Sequence, residues 1–297
     1  MPKPSKKSVF SKSTALSCLL LLFGFNGFAQ DTIVAMIDSV RTDSIKPTIW
    51  KNLKYDAHNI LGGIKYAYTN PFHWEKDDLL TAGGVVAGTA ILFAFDEQTS
   101  SYFIRQNPTT PNIIKDFGWY FGSPQNNYGI TGGVYLFGLL TDNEKIRKTG
   151  VLLISSATAS GLIQTVTKIA VGRARPNINK GHASFRPFAN EAGNNSFPSG
   201  HTILSFTTAY AIGKQFSNPW VKSGIYAVGM IAPVSRLIAG AHWLTDVTLS
   251  MALSIAVVDG IDHYLNKEQK YKNSYNPRKI SWNMRFDTNS IGIVGTF

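Results

Sequence analysis

Cysteine is nearly absent from the 297 residues: Cys18 is the only one. It sits early in the apolar run Ala15 to Phe25, so it lacks the upstream apolar stretch that a lipidation signal requires. With that segment removed, no cysteine remains, which excludes disulfides, thiolate metal sites and a thiol nucleophile. Acidic residues are missing from the first thirty positions. Internal repeats and low-complexity blocks are missing throughout. So is any clustered Lys/Arg stripe interleaved with aromatics, an absence that argues against nucleic acid as a partner. Alternating apolar patterns do not occur before the C-terminal tail.

What is present begins with a targeting pattern. Lys3, Lys6, Lys7 and Lys12 precede the run ALSCLLLLFGF, and Gly27-Phe28-Ala29 puts small residues at −3 and −1 of a cut after Ala29. That is the three-part form of a secretory signal, and its apolar run is too short to span a bilayer comfortably. The expectation is a signal peptide over 1–29 and an exported protein. It would be periplasmic, or held in the inner membrane with its functional face towards the periplasm. Loss of those lysines lowers the formal charge from +11 to +7. That balance suits an anionic membrane surface or a phosphate-bearing substrate.

Residues 30–75 are weakly patterned and read as an N-terminal leader. Six apolar stretches follow: Leu79–Phe95, Tyr128–Leu140, Gly150–Ala170, Thr202–Ile212, Val221–Val234 and Trp243–Val258. Their length and small-residue content predict helices rather than strands. The segment Glu97–Arg105 reads as a further amphipathic helix. The expected fold is all-α, a bundle of about six apolar core helices over residues 76–265. The tail, 266–297, would carry a short β-hairpin over Ile280–Phe297. Mean hydropathy is only −0.03, yet several stretches are near the length of a membrane span. Basic residues cluster after the second, fourth and sixth stretches, on one side of a six-helix arrangement. Three full spans after a cleaved signal would carry Arg175 to that same basic side. The conflict is removed if the first stretch does not span or if the whole domain is soluble.

Three polar clusters sit at the ends of apolar stretches. The first runs from Lys168 to Arg175-Pro176. Its two cations are seven residues apart, about 10 Å on a continuous helix, but Gly172 and Pro176 let the helix end early and bring both to one anion. The second is Pro198-Ser199-Gly200-His201, a helix start whose amides and dipole favour an anion. The third runs from Ser235-Arg236 through His242 to Asp246. His242 and Asp246 are four apart, so a carboxylate there could orient one imidazole nitrogen and leave the other as a free lone pair. Arginine supplies a planar fork for phosphate oxygens and lysine a point charge.

Together, KxxxxxxRP at 168–176, PSGH at 198–201 and SRxxxxxHxxxD at 235–246 resemble the signature of the type 2 phosphatidic acid phosphatase (PAP2) superfamily. That family also includes bacterial acid phosphatases and vanadium haloperoxidases. The resemblance implies a metal-independent phosphatase with no cofactor. His242 would be the nucleophile that forms a phosphohistidine, Asp246 would orient it, and His201 would be the general acid. Lys168, Arg175, Arg236, Ser199 and the Gly200 amide would bind the phosphate oxygens. The expected substrate is a phosphate monoester or pyrophosphate, above all of a lipid, with a membrane as partner. A soluble periplasmic acid phosphatase, a vanadate-dependent haloperoxidase and a non-catalytic metal- or anion-binding protein are the alternatives. Of the other polar residues, Lys180, His182 and Arg186 read as solvated loop residues. Asn194-Asn195-Ser196 fits a glycosylation acceptor, and Trp243 reads as either a pocket floor or a packing residue.

Overall fold

A computed structural model describes residues 49–267, 270–271, 281–287 and 290–296. The signal segment and the leader as far as residue 48 lie outside the described residues. Each of the six apolar stretches is a helix. In chain order the helices are α1 (Ile49–Thr69), α2 (Lys76–Phe93), α3 (Asp96–Arg105), α4 (Asn112–Phe121), α5 (Pro124–Leu140), α6 (Glu144–Val171), α7 (Gly200–Gly213), α8 (Pro219–Ile238) and α9 (Leu244–Lys267). The amphipathic segment Glu97–Arg105 is α3. Strands β1 (Ser281–Asp287) and β2 (Ser290–Thr296) pair antiparallel, with Ser281 opposite Thr296 and Asp287 opposite Ser290. This is the expected hairpin.

Two helices carry no clear sequence pattern. Helix α1 lies inside the stretch that reads as a leader, and α4 falls between the first two apolar stretches. Helix α1 is amphipathic in a mixed way. Leu53, Ile60, Ile64 and Ala67 pack on the core, while Asn52, Asp56 and Asn59 are also buried. The buried Asp56 accepts hydrogen bonds from the hydroxyls of Tyr135 (3.0 Å) and Tyr271 (2.7 Å) and pairs with Arg147 at 2.9 Å. A polar stripe that finds its partners only across four chain segments leaves no periodic signal.

The core lies where α6, α7 and α9 meet α1 and α5. Val151, Leu152 and Leu153 of α6 and Val258, Ile261 and Leu265 of α9 are fully shielded from solvent. Each such side chain contributes about 1.5–3 kcal/mol on burial. Among the described residues, three helices are long and apolar enough to cross a membrane: α6, α8 and α9. The pair α2 and α3, bent by 65° at the break between them, passes the same test as a unit.

Four helix ends converge at one end of this bundle, and local chemistry sets each of them. Helix α6 stops at Gly172, which adopts φ +59°. A Cβ there would lie 1.7 Å from the Arg186 carbonyl oxygen, so only glycine fits. Helix α7 starts at Ser199, whose hydroxyl oxygen accepts from the Thr202 amide at 3.4 Å. Helix α8 ends into Gly240, at φ +61°, and the Ala241 amide returns to the Arg236 carbonyl at 3.0 Å. Helix α9 opens with Asp246 in its first turn, where the helix dipole favours a carboxylate.

Candidate active site

The loop between α6 and α7 folds back over the converging ends. Arg186 donates from its amide to Gly172 (2.9 Å), Phe188 to Ile169 (2.8 Å) and Ser196 to Arg173 (2.9 Å). This lays Ser196 beside the turn that carries His242. His242 is 4% exposed, and its Nδ1 lies 2.6 Å from the Ser196 carbonyl oxygen. A carbonyl only accepts, so Nδ1 carries the proton and Nε2 holds the lone pair. Burial pushes the imidazole pKa well below its usual value, and the positive charges of Lys168 and Arg175 push it further. His242 is therefore neutral, with one nitrogen fixed and the other available.

The expectation that Asp246 itself holds this imidazole is corrected here. Its carboxylate is 3.9 Å from His242 Nδ1, beyond hydrogen-bond reach. Its oxygens are taken instead by Arg173 (2.7 Å), the Trp243 amide (2.9 Å) and the Ser196 hydroxyl. Asp246 thus acts one residue removed: it pins Ser196 through the hydroxyl, and the Ser196 carbonyl pins His242. Helical spacing brings Asp246 near His242 but leaves open which nearer donor captures it.

Arg173 is the residue that the sequence reading passes over, although it stands two places before Arg175. Its guanidinium donates to Asp246 and Asp96 at 2.7 Å each, to Thr245 Oγ1 at 2.7 Å and to the His182 carbonyl at 3.0 Å. It also lies over the rings of Phe93, Trp243 and Phe185, 5.0, 5.5 and 5.7 Å from their centroids. Asp96 completes this buried network by accepting from the Thr245 amide at 3.0 Å. A cation so enclosed is spent on structure. Arg173 ties α3 to α9 behind His242, and its ArgxArg spacing was the one available signal.

The other expected residues converge on the opposite side of His242. Lys168, Arg175 and Arg236 all act on the His201 imidazole. Burial first, then Arg236, Lys168 and Arg175, lower its pKa to about 4. His201 Nε2 and Arg175 Nε are buried without a hydrogen-bond partner among the described residues, as groups reserved for a ligand would be. Gly200 opens α7, so its amide belongs to the first turn, which has no intrahelical acceptor. A Cβ on Gly200 would come within 3.2 Å of the Gln164 side chain, a close fit that favours glycine. Ser199 is fully buried and caps α7; it also accepts from the Thr202 hydroxyl at 2.9 Å, leaving only its own hydroxyl proton for a ligand. Trp243 packs: it is 4% exposed and donates from Nε1 to the Ala174 carbonyl at 2.7 Å.

Residues 149–270 match the family model described as the PAP2 superfamily. The match covers less than half of the chain, and over that stretch the chain is similar to the PAP2 superfamily. All three motifs fall inside the matched range. Over 107 residues the chain is 35% identical to a lipid A 1-phosphatase of Rhizobium etli, covering 35% of this chain and 44% of that protein. A lipid A 1-phosphatase of Rhizobium johnstonii is 34% identical over 107 residues, 35% of this chain and 42% of its own length. One of Porphyromonas gingivalis is 30% identical over 113 residues, 36% of this chain and 22% of that protein. The chain therefore spans less than half the length of each of these curated relatives. The crystal structure of Aquifex aeolicus LpxE is similar at 19% identity and a TM-score of 0.41, covering 54% of this chain and 93% of that one. That of a transmembrane PAP2 type phosphatidylglycerolphosphate phosphatase of Bacillus subtilis gives 20% identity and a TM-score of 0.45, covering 62% and 95%.

The structure changes two readings of the loop. His182 is not simply solvated: its Nδ1 meets Glu97 at 2.9 Å and its ring lies 4.7 Å from that of Phe93. Lys180 and Arg186 are exposed, as expected. Asn194, the acceptor position of the glycosylation pattern, is fully buried and donates to Glu191 at 3.0 Å, which removes it from any glycosylating enzyme. Ser196, the third residue of that pattern, orients His242 instead. Among the described residues no three His, Cys, Asp or Glu side chains group as a metal site.

Proposed function

We propose that this protein is a phosphatase acting on a phosphate monoester or pyrophosphate of a lipid, through a phosphohistidine on His242. The observation that carries this reading is the single tautomer imposed on His242 by the Ser196 carbonyl. It leaves the Nε2 lone pair free in a buried site served by Lys168, Arg175 and Arg236. Nε2 attacks phosphorus, the bond to the leaving oxygen breaks, and His201 gives that oxygen its proton. Water then attacks phosphorus and the phosphorus–Nε2 bond breaks, with His201 accepting the water proton and His242 regaining its lone pair. Three cations and the first amides of α7 neutralise charge spread over the equatorial oxygens, which is most of what phosphoryl transfer asks of a protein. Asp246 keeps the nucleophile in register through Ser196.

The depressed pKa of His201 fits this cycle. An empty cluster of three cations opposes protonation, whereas a bound phosphate cancels their charge, so the proton that a monoanionic ester brings can pass to His201. The proton thus arrives with the substrate.

A lipid rather than a soluble ester is favoured by the three helices long enough to span a bilayer, whose converging ends bear the site. Basic residues Lys145, Arg147, Lys148, Lys214 and Lys222 lie at the other ends of α6, α7 and α8. By the positive-inside rule this orients the site away from the cytoplasm, towards the periplasm. The names of the curated relatives put lipid A first among substrates to try.

The test is phosphate release from lipid A, a lipid pyrophosphate and a small aryl phosphate, in EDTA, by wild type and His242→Ala. Turnover that survives chelation and falls at least ~10³-fold in the variant, within the range seen when a nucleophile is removed, is the expected result. Normal turnover by His242→Ala removes the mechanism. Preference for the aryl phosphate over both lipids removes the lipid assignment.

A further inference from the structure

Helix α4 carries none of the three motifs, yet it packs directly against Ser235 and His201 of two of them. Two of its contacts are made without a side chain. A Cβ on Gly118 would lie 2.2 Å from Ser235 Oγ, and one on Gly122 would lie 2.7 Å from the His201 Cβ. The two glycines are four apart and share a face, so the α4 backbone and its last turn press directly onto α8 and α7. Between them stands Trp119. Its ring centroid is 4.8 Å from that of His201, with the planes tilted by 40°, and 4.9 Å from the Arg236 guanidinium carbon. The indole is 52% exposed, so one part of it faces the site and the rest faces out.

The two histidines are held by different means. His242 is fixed by a hydrogen bond to a backbone carbonyl. His201 has no hydrogen bond at either ring nitrogen among the described residues, and its buried Nε2 is unpartnered. Nothing polar sets its ring angle, so contact must. Trp119 is the ring that touches it, and the same indole is held in turn by the fixed charge of Arg236 through its π face. We infer that Trp119 is the positioning residue for His201, holding the imidazole at the angle from which Nε2 meets the leaving oxygen. This rests on the reading of His201 as the general acid.

The prediction follows from leaving-group chemistry. An alkoxide leaves only when protonated, whereas a nitrophenolate leaves without help. A misdirected acid therefore slows an alkyl phosphate and spares a nitrophenyl phosphate. General acid catalysis is worth ~10²–10⁴-fold, and loss of alignment forfeits part of it. Full-length Trp119→Ala should lose about tenfold or more in kcat/KM on glycerol phosphate and stay within about threefold on p-nitrophenyl phosphate, because kcat/KM covers only the steps up to loss of the leaving group and not the later water attack that both esters share. Trp119→Phe, which keeps a ring against His201, should recover most of the loss, and thermal unfolding of both variants separates this from misfolding. Equal loss on both esters or no loss overturns the inference. His201→Ala supplies the reference. If it shows no alkyl-over-aryl selectivity while His242→Ala is inactive, the assignment of His201 as acid falls and the role of Trp119 falls with it. No turnover by wild type on these two esters, on lipid A or on the lipid pyrophosphate removes the phosphatase reading itself.

Discussion

At the scale of single residues, the site rests on assigning protons to two imidazoles. His242 keeps its Nδ1 proton on the Ser196 carbonyl and is neutral in the buried site. His201 titrates at about 4 in the unliganded protein, so it is protonated only below that value. A phosphate monoester takes up its second proton near pH 6. The reactive combination carries one proton, on the substrate or on His201. The kcat/KM profile should therefore plateau between about pH 4 and about pH 6, falling on the acid side as His201 becomes charged before binding and on the alkaline side as the ester becomes a dianion. Arg236 is the strongest of the charges opposing that protonation, so Arg236→Gln should move the acid limb to higher pH while leaving the alkaline limb in place. A pH profile of the variant on a soluble ester checks this; an unmoved acid limb would separate His201 from it.

At the scale of elements, the geometry depends on where helices stop. Helix α6 must end at Gly172 for Lys168 and Arg175 to face one anion, because one more turn would keep them on separate levels of a cylinder. The φ of +59° and the absence of room for a Cβ make this position intolerant. Gly172→Ala should destabilise the protein by more than the ~1 kcal/mol of a simple backbone mismatch, since the Arg186 carbonyl must also move. It should cost activity out of proportion, because the same carbonyl belongs to the strap that carries Ser196 to His242. Thermal unfolding alongside turnover measures both. A variant with unchanged Tm and full activity would show that the strap is set elsewhere.

At the scale of the whole molecule, buried charge is confined to two ends with an apolar middle between them. On α6, residues 149–167 carry no charge, a length of about 29 Å at 1.5 Å per residue, close to the ~30 Å hydrocarbon thickness of a bilayer. The site occupies one end. At the other, Asp56 clasps α1 to α5, α6 and Tyr271, and Lys214 pairs with Asp262 at 3.1 Å and with Asp259. Removing one partner of a buried pair strands the other, which costs about 3–5 kcal/mol. Asp56→Ala should lower stability by that amount, because Arg147 is left uncompensated, while KM stays near the wild-type value, because the site lies at the far end. A large KM change would mean that α1 shapes the site after all.

The sequence by itself determined six of the nine helices among the described residues, since apolar runs of that length have one good solution, and α3 and the C-terminal hairpin were legible as amphipathic and alternating segments. It also singled out Lys168, Arg175, His201, Arg236 and His242, because their types and spacing are what a phosphate site demands. Helices α1 and α4 were not legible: one buries carboxylate and amide groups against partners distant in sequence, the other docks through glycines. The tertiary structure alone decided which atom orients His242. A carboxylate four residues away on a helix was near enough to serve, but a hydrogen bond goes to the acceptor that is closest and correctly aimed, and folding of the 173–199 strap delivered the Ser196 carbonyl to that place. The same folding gave the Asp246 carboxylate to Arg173 and set Trp119 against His201, contacts between residues too far apart in the chain for any spacing rule to reveal.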